Sequence, residues 1–180
     1  TLNNFNKSCS VDVFFALSHG VHRGILKSGK TDDRVIFLKN LQKKTSDVKF
    51  DIYGIDKVQP IWADHYFKTI SNAKMGLNLS RGEAIKYYSS DRITQIVGNG
   101  LVCLIDEKTK YRDYFENNEM VFYKNENDLS EKILKISRDE KLRRSIGKKG
   151  KIKYMKYFNS TNVAEFIVNK TLDLKDKKKF

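Results

Sequence analysis

Residues 76–106, GLNLSRGEAIKYYSSDRITQIVGNGLVCLID, restrict the fold of this chain more than any other stretch. Leu77 and Leu79 flank Asn78 and read as a strand end, and 80–88 is irregular and polar. Ser89 and Ser90, ahead of Asp91, are natural N-caps for a helix over about 91–97, which stops at Gly98-Asn99-Gly100. The run from Leu101 to Ile105 has no polar member, as a strand covered on both faces requires. A loop leaving the carboxyl end of a parallel strand for a helix offers backbone N–H groups and a partial positive charge. Such a loop suits a phosphate-bearing ligand of the nucleotide type.

The alternation continues in both directions. A strand over 11–17 precedes the polar turn SHGVHRG, and Thr31 or Asp32 caps a helix whose stripe is Val35, Phe37, Leu38 and Leu41. A strand follows over 50–55, then a helix over 64–72 carrying Tyr66, Phe67 and Ile70. After the strands at 75–79 and 101–105 come a short helix over 111–115 and a strand over 120–123. This order predicts an α/β, Rossmann-like parallel sheet with helices on both faces and right-handed crossovers. Beyond residue 128 the pattern is only helical. Leu129, Ile133 and Ile136 share a face, Leu142 and Ile146 follow, Gly147 and Gly150 are expected to loosen a turn, and a last helix over 161–174 bears Val163, Phe166, Ile167 and Leu172. The division expected is a lead-in or linker (1–10), one domain (11–174) and a basic tail (175–180).

Charge and cysteine usage narrow the partners. With 35 lysines and arginines against 22 acidic residues the formal charge is +13, so polyanions are attracted: nucleic acid, anionic lipid or phosphorylated small molecules. Apolar runs such as VFFAL at 13–17 are too short to cross a bilayer, and no signal-peptide pattern opens the chain. Cys9 and Cys103 read as unpaired, which fits a reduced, cytoplasmic compartment.

The order of elements, the segment SSDRITQIVGNGLVCLID and the later GKKGKIKYMKYFNSTNVAEFI resemble the carboxyl-terminal, nucleotide-sugar-binding domain of GT-B glycosyltransferases, in particular the bacterial group-one and spore-protein-like branches. The resemblance spans Val11 to about Leu172. It implies a sugar transferase whose donor, a nucleoside diphosphate sugar, sits between two Rossmann-like halves. The amino-terminal, acceptor-binding half is then missing from this chain, which would bind a donor and turn nothing over alone. No metal or further cofactor is implied; cell-surface polysaccharide synthesis is the implied setting, and the inner membrane face a further partner.

The family usually places two glutamates eight positions apart, the second five before the glycine matching Gly100. In that register the second position is Gln95 and the first falls on Tyr87, whereas Glu83 and Asp91 keep the spacing out of register. A longer loop, with Glu83 in the first role and Gln95 in the second, reconciles them; the Gln95 amide can still bond ribose hydroxyls. Arg92, one turn inside a helix start, is the leading candidate for the diphosphate, with Tyr88, Ser89, Ser90 and Asp91 beside it. Its alternative role is an ion pair with Asp91 or Glu83 that only organises the loop. His19, Gly20, Arg23 and Lys27 form the second candidate group, since glycine admits close backbone approach and the cations neutralise phosphate. Ser80, Arg81 and Glu83 could reach the sugar. Trp62 and Tyr66 could bracket a base or serve as packing.

Three rival readings stand beside this one. His19 and His22 invite a metal, but no cysteine or carboxylate joins them at ligand spacing. Tyr87 and Tyr88 beside Lys86 and Arg92 resemble a single-strand nucleic-acid surface, yet no RNA-binding signature accompanies them and the excess charge lies in the last helices. A non-catalytic Rossmann-like interaction domain is the third.

Overall fold

A computed structural model describes residues 2–17, 31–88 and 90–174. His19, Gly20, His22, Arg23, Lys27, Ser89 and the tail 175–180 lie outside the described residues.

Five strands, β1 (Val11–Ala16), β2 (Phe50–Tyr53), β3 (Ala73–Asn78), β4 (Val102–Asp106) and β5 (Val121–Tyr123), form one parallel sheet in the order β2-β1-β3-β4-β5. Parallel neighbours need crossovers. They are α1 (Asp33–Lys44) between β1 and β2, α2 (Ala63–Ile70) between β2 and β3, and α3 (Asp91–Gly98) between β3 and β4. The chain steps outward from β1 to β2, then returns past β1 to β3 and β4, so its direction reverses between β1 and β3. Right-handed crossovers therefore place α1 on one face and α2 and α3 on the other. The side chains agree. Val13, Phe15, Leu77 and Leu104 pack with Val35, Leu38 and Leu41 of α1, while Phe14, Cys103 and Ile105 pack with Ile70 of α2 and Ile93 and Ile96 of α3. Where neighbouring helices diverge to opposite faces, the carboxyl edge of the sheet opens.

The helical tail comprises α4 (Glu126–Arg138), α5 (Glu140–Phe158) and α6 (Ser160–Thr171). Leu129, Ile133 and Ile136 of α4 complete the first face and Tyr154 of α5 the second. The segment expected as a lead-in lies against the domain. Asn4 is buried, and its Nδ2 donates to the carbonyls of Ile70 (2.7 Å) and Ala73 (2.9 Å).

Two expectations are corrected. The short helix over 111–115 is a pair of 3-10 turns, Glu107–Thr109 and Tyr111–Asp113, hinged at Lys110 in the left-handed region (φ 61°). Gly147 and Gly150 loosen no turn: both lie within the unbroken α5. They are there because a Cβ on Gly147 would stand 2.5 Å from the Gly100 carbonyl oxygen, and one on Gly150 2.3 Å from that of Glu119. In an open helix Gly→Ala gains about 1 kcal/mol. Here the sign reverses, because the obstruction is backbone: Gly150→Ala should lose about 1–3 kcal/mol in urea unfolding. Gly98→Ala, whose Cβ would meet nothing nearer than Met155 Cε at 4.0 Å, should not.

Cys103 is fully packed within β4, and burial pushes its thiol up to about 12, so it is an inert core residue. Among the described residues no helix is long and apolar enough to cross a membrane.

Candidate functional site

A cleft of about 760 Å³ lies at the carboxyl ends of β1 and β3, the switch point of the sheet. Its walls come from the end of β1 (Ala16, Leu17), the start of α1 (Arg34), the start of α2 (Ile61 to Phe67), the loop after β3, and the first turn of α3. Of the residues expected at the site, Ser80, Arg81, Glu83, Tyr88, Ser90, Asp91, Arg92 and Gln95 all line it. His19, Gly20, Arg23, Lys27 and Ser89 fall outside the described residues.

Arg92, the second residue of α3, is half-buried at the cleft floor. Its Nε donates to the Ala16 carbonyl (3.4 Å), and Nη1 donates to the Leu79 carbonyl (3.2 Å) and to Asn78 Oδ1 (3.3 Å). The guanidinium also lies over the Phe15 ring, 5.2 Å from its centroid. It thus ties the ends of β1 and β3 together across the switch point. All these partners are neutral. Among the described residues no carboxylate pairs with Arg92, so the loop-organising ion pair with Asp91 or Glu83 is not formed there. Burial, and after it the charge of Arg34, lower the Arg92 pKa from its ordinary value. An anion entering the cleft would relieve both penalties.

Two residues of this arrangement were not singled out from the sequence. Asn78 ends β3, and its carboxamide oxygen accepts from both Ser90 Oγ (3.0 Å) and Arg92 Nη1. Ser90 holds the N-cap position of α3, but its hydroxyl is spent on Asn78 rather than on a backbone N–H of the helix. The signal for Asn78 was a lone amide closing an apolar strand. Arg34, buried at the start of α1, is clasped by Asp32: Oδ1 accepts from the Arg34 backbone N–H (2.9 Å) and Nε (3.0 Å), and Oδ2 from Nη2 (2.7 Å). These bonds hold the Asp32 carboxyl below its usual range. Asp32 serves as N-cap and counter-ion together.

Opposite the guanidinium stands an apolar wall. Trp62 is 59% exposed at the N-cap of α2, next to Tyr66 and Phe67. Tyr66 is held edge-on to Phe14 at 5.4 Å, and burial pushes its hydroxyl up to about 12. Ala63, between Trp62 and the helix body, has φ 45°, a left-handed backbone that costs a non-glycine residue about 1–2 kcal/mol. Gln95 lies one turn beyond Asp91, half-buried on the cleft wall, and Glu83 is exposed on the loop.

Tyr87 is committed elsewhere. Its hydroxyl donates to Asp113 Oδ2 (2.5 Å), its ring packs edge-on against Tyr114, and its N–H donates to the Thr109 carbonyl. That leaves Tyr88 without its expected partner for a base-stacking surface. Among the described residues no three histidine, cysteine or acidic side chains are grouped to hold a metal ion.

Comparison with known proteins adds a family and a fold. A family model described as glycosyl transferase-like matches residues 34–169. The chain superposes on TarM with a TM-score of 0.64 at 16% identity, covering 90% of this chain and 35% of that one. A mutant of S. aureus TarM in complex with fondaparinux, alpha-GlcNAc-glycerol and UDP gives 0.64 at 16% identity, with 91% and 36% covered. Sucrose-phosphate synthase from Thermosynechococcus elongatus gives 0.58 at 14%, with 93% and 46% covered. The chain therefore spans about a third of TarM and less than half of the synthase. No curated protein matches.

Proposed function

Because the chain belongs to the glycosyl transferase-like family and has the fold of a GT-B glycosyltransferase domain, we propose that it is the carboxyl-terminal, donor-binding domain of such an enzyme, gripping a nucleoside diphosphate sugar in the cleft between β1 and β3. The observation that carries this reading is Arg92, a half-buried cation at the sheet's carboxyl edge with only neutral partners.

The chemistry follows from where charge develops. As the bond from sugar to diphosphate breaks, negative charge gathers on the leaving oxygens, and fixed cations stabilise it most where water is scarce. Arg92 supplies the fork, and the first turn of α3 adds its backbone N–H groups. Arg23 and Lys27, in the segment that follows β1 in the sequence, would add positive charge. Gln95 or Glu83 would take the ribose hydroxyls, the loop over 80–83 would meet the sugar, and Trp62 would face the base. The base that activates the acceptor would come from an acceptor-binding half outside this chain, so the domain alone would bind and not turn over.

A thermal-shift screen of uridine, guanosine, adenosine and thymidine diphosphates and their sugars tests this. Uridine diphosphate comes first, since a TarM complex contains UDP. At 100-fold over Kd a ligand stabilises by about 2.7 kcal/mol, or roughly 5–10 °C in a domain of this size. One base should shift Tm at least twice as far as inorganic pyrophosphate does. No shift across the panel would remove the proposal.

A further inference from the structure

The loop over 80–88 forms one wall of the cleft while resting on little of the core. Ser80, Arg81, Glu83, Ile85 and Tyr88 line the cleft, yet every residue from Arg81 to Tyr88 except Ala84 is exposed, Ile85 at 65% and Tyr88 at 50%. A segment with so few buried contacts opens easily unless something outside it holds it. Among the described residues, the hydrogen bonds that join this loop to another segment are both made by Tyr87.

The Tyr87 hydroxyl donates to Asp113 Oδ2 (2.5 Å) and its N–H to the Thr109 carbonyl (2.9 Å), both in the pair of 3-10 turns that follows β4. Its ring meets Tyr114 edge-on at 5.3 Å, and Tyr114 leads through Tyr111 (6.4 Å) to Phe115, both buried in the second face of the sheet. The backbone is bent to make this contact. Tyr87 at φ 57° and Lys110 at φ 61° both sit in the left-handed region, one on each side of it, and neither is glycine. Such conformations persist only where the surroundings impose them, and they gather at ligand clamps. The diphosphate end of the cleft is fastened separately, since Arg92 is tied to Ala16, Asn78 and Leu79, none of them in the loop. What Tyr87 holds in place is the wall of Arg81, Glu83 and Ile85, whose first part is assigned above to the sugar.

We infer that Tyr87 is a positioning residue: hydrogen-bonded to Asp113, it holds the loop over 80–88 against the cleft and so governs how tightly the sugar, and not the diphosphate, is received. This rests on the donor reading above. With the loop unlatched, only a fraction of the molecules have the wall in place, and the affinity for the sugar-bearing ligand falls by that fraction.

Tyr87→Phe removes the hydroxyl alone and leaves the ring on Tyr114. In the unliganded variant the amides of residues 87 and 88, both hydrogen-bonded in the parent, should exchange with deuterium at least about fivefold faster by nuclear magnetic resonance, while those of β3 keep their rates. Calorimetry then compares the nucleoside diphosphate sugar that shifts Tm most with its own nucleoside diphosphate. Tyr87→Phe and Asp113→Ala should each weaken the sugar-bearing ligand about fivefold and the diphosphate less than about twofold, and the double variant should lose no more than either alone. Asp113→Asn, which keeps an acceptor oxygen, should bind within about twofold of the parent. Unchanged exchange at 87 and 88 would overturn the inference, and so would a loss shared equally by the two ligands or losses that add in the double variant. Absence of binding by the whole panel would overturn the donor reading and this role with it, whereas donor binding that ignores Tyr87→Phe would overturn the role alone.

Discussion

Arg92→Ala is expected to weaken nucleoside diphosphate binding by about 100-fold, while the weak affinity for the corresponding nucleoside stays within about twofold. Hydrogen bonds to a charged group contribute about 1.5–3 kcal/mol each, and every 1.4 kcal/mol is tenfold, so losing the two N–H groups of Nη2, which the bonds to Ala16, Asn78 and Leu79 leave for the diphosphate, reaches that size. Arg92→Lys should recover part of it: the charge remains, but an ammonium cannot span the carbonyls of Ala16 and Leu79 and still present a second edge. Asn78→Ala should fall between the two, because it frees one corner of the guanidinium and leaves its charge in place. Isothermal calorimetry with nucleoside, monophosphate and diphosphate separates these effects. Equal diphosphate affinity for the parent and Arg92→Ala would place the ligand elsewhere.

The largest loss of stability is expected at Arg143. Its side chain is fully buried, yet each of its three nitrogens donates: Nη1 to the Asn4 carbonyl (2.7 Å), Nη2 to the Lys7 carbonyl (2.8 Å), and Nε and Nη2 to the Glu140 carboxylate. Removing Arg143 leaves the buried Asn4 carbonyl unpaired, at about 1–3 kcal/mol, and a cavity beside it, whereas Glu140 is exposed enough to be solvated and keeps Arg144. Against a total of about 5–15 kcal/mol, Arg143→Ala should leave a marginal domain with its first ten residues detached. The same guanidinium holds the Glu140 carboxyl below its ordinary value of 4.5. Folded Glu140 binds its proton later than unfolded Glu140, so this contribution is complete above pH 4.5 and fades as the pH drops through the lower, folded value. The variant should be less stable at neutral pH and less sensitive to acid between those limits. Urea unfolding at pH 7 and pH 4 measures both, and a loss under about 1 kcal/mol would contradict the network's role.

The fold was legible because its signals are local. Parallel strands covered on both faces must be apolar runs, and Leu101 to Ile105 is such a run; Asp32, one of the two caps offered for α1, caps it as its residue type requires. One wall of the cleft was legible for a related reason: a loop from a parallel strand into a helix is contiguous, so Ser80 to Gln95 could be read as one unit. What escaped depends on partners distant in the chain. Gly147 and Gly150 read as helix breakers until the carbonyls of Gly100 and Glu119 are seen against them. Arg143 looks like another surface cation in a lysine-rich helix, since its carbonyl partners, Asn4 and Lys7, lie more than 130 positions earlier. Asn78 gains its role only when α3 brings Ser90 and Arg92 back over the strand end, and Tyr87 loses its expected one to Asp113. Ser90 was read correctly in place and wrongly in action, because the strand competes with the helix for its hydroxyl.

A structure of the chain determined with a nucleoside diphosphate bound tests the central claim most directly. The account predicts the diphosphate between the carboxyl ends of β1 and β3, within hydrogen-bonding distance of the Arg92 guanidinium, with the base toward Trp62. A diphosphate on the lysines of α5, or an Arg92 still bonded only to neutral oxygens while ligand occupies another surface, would contradict it.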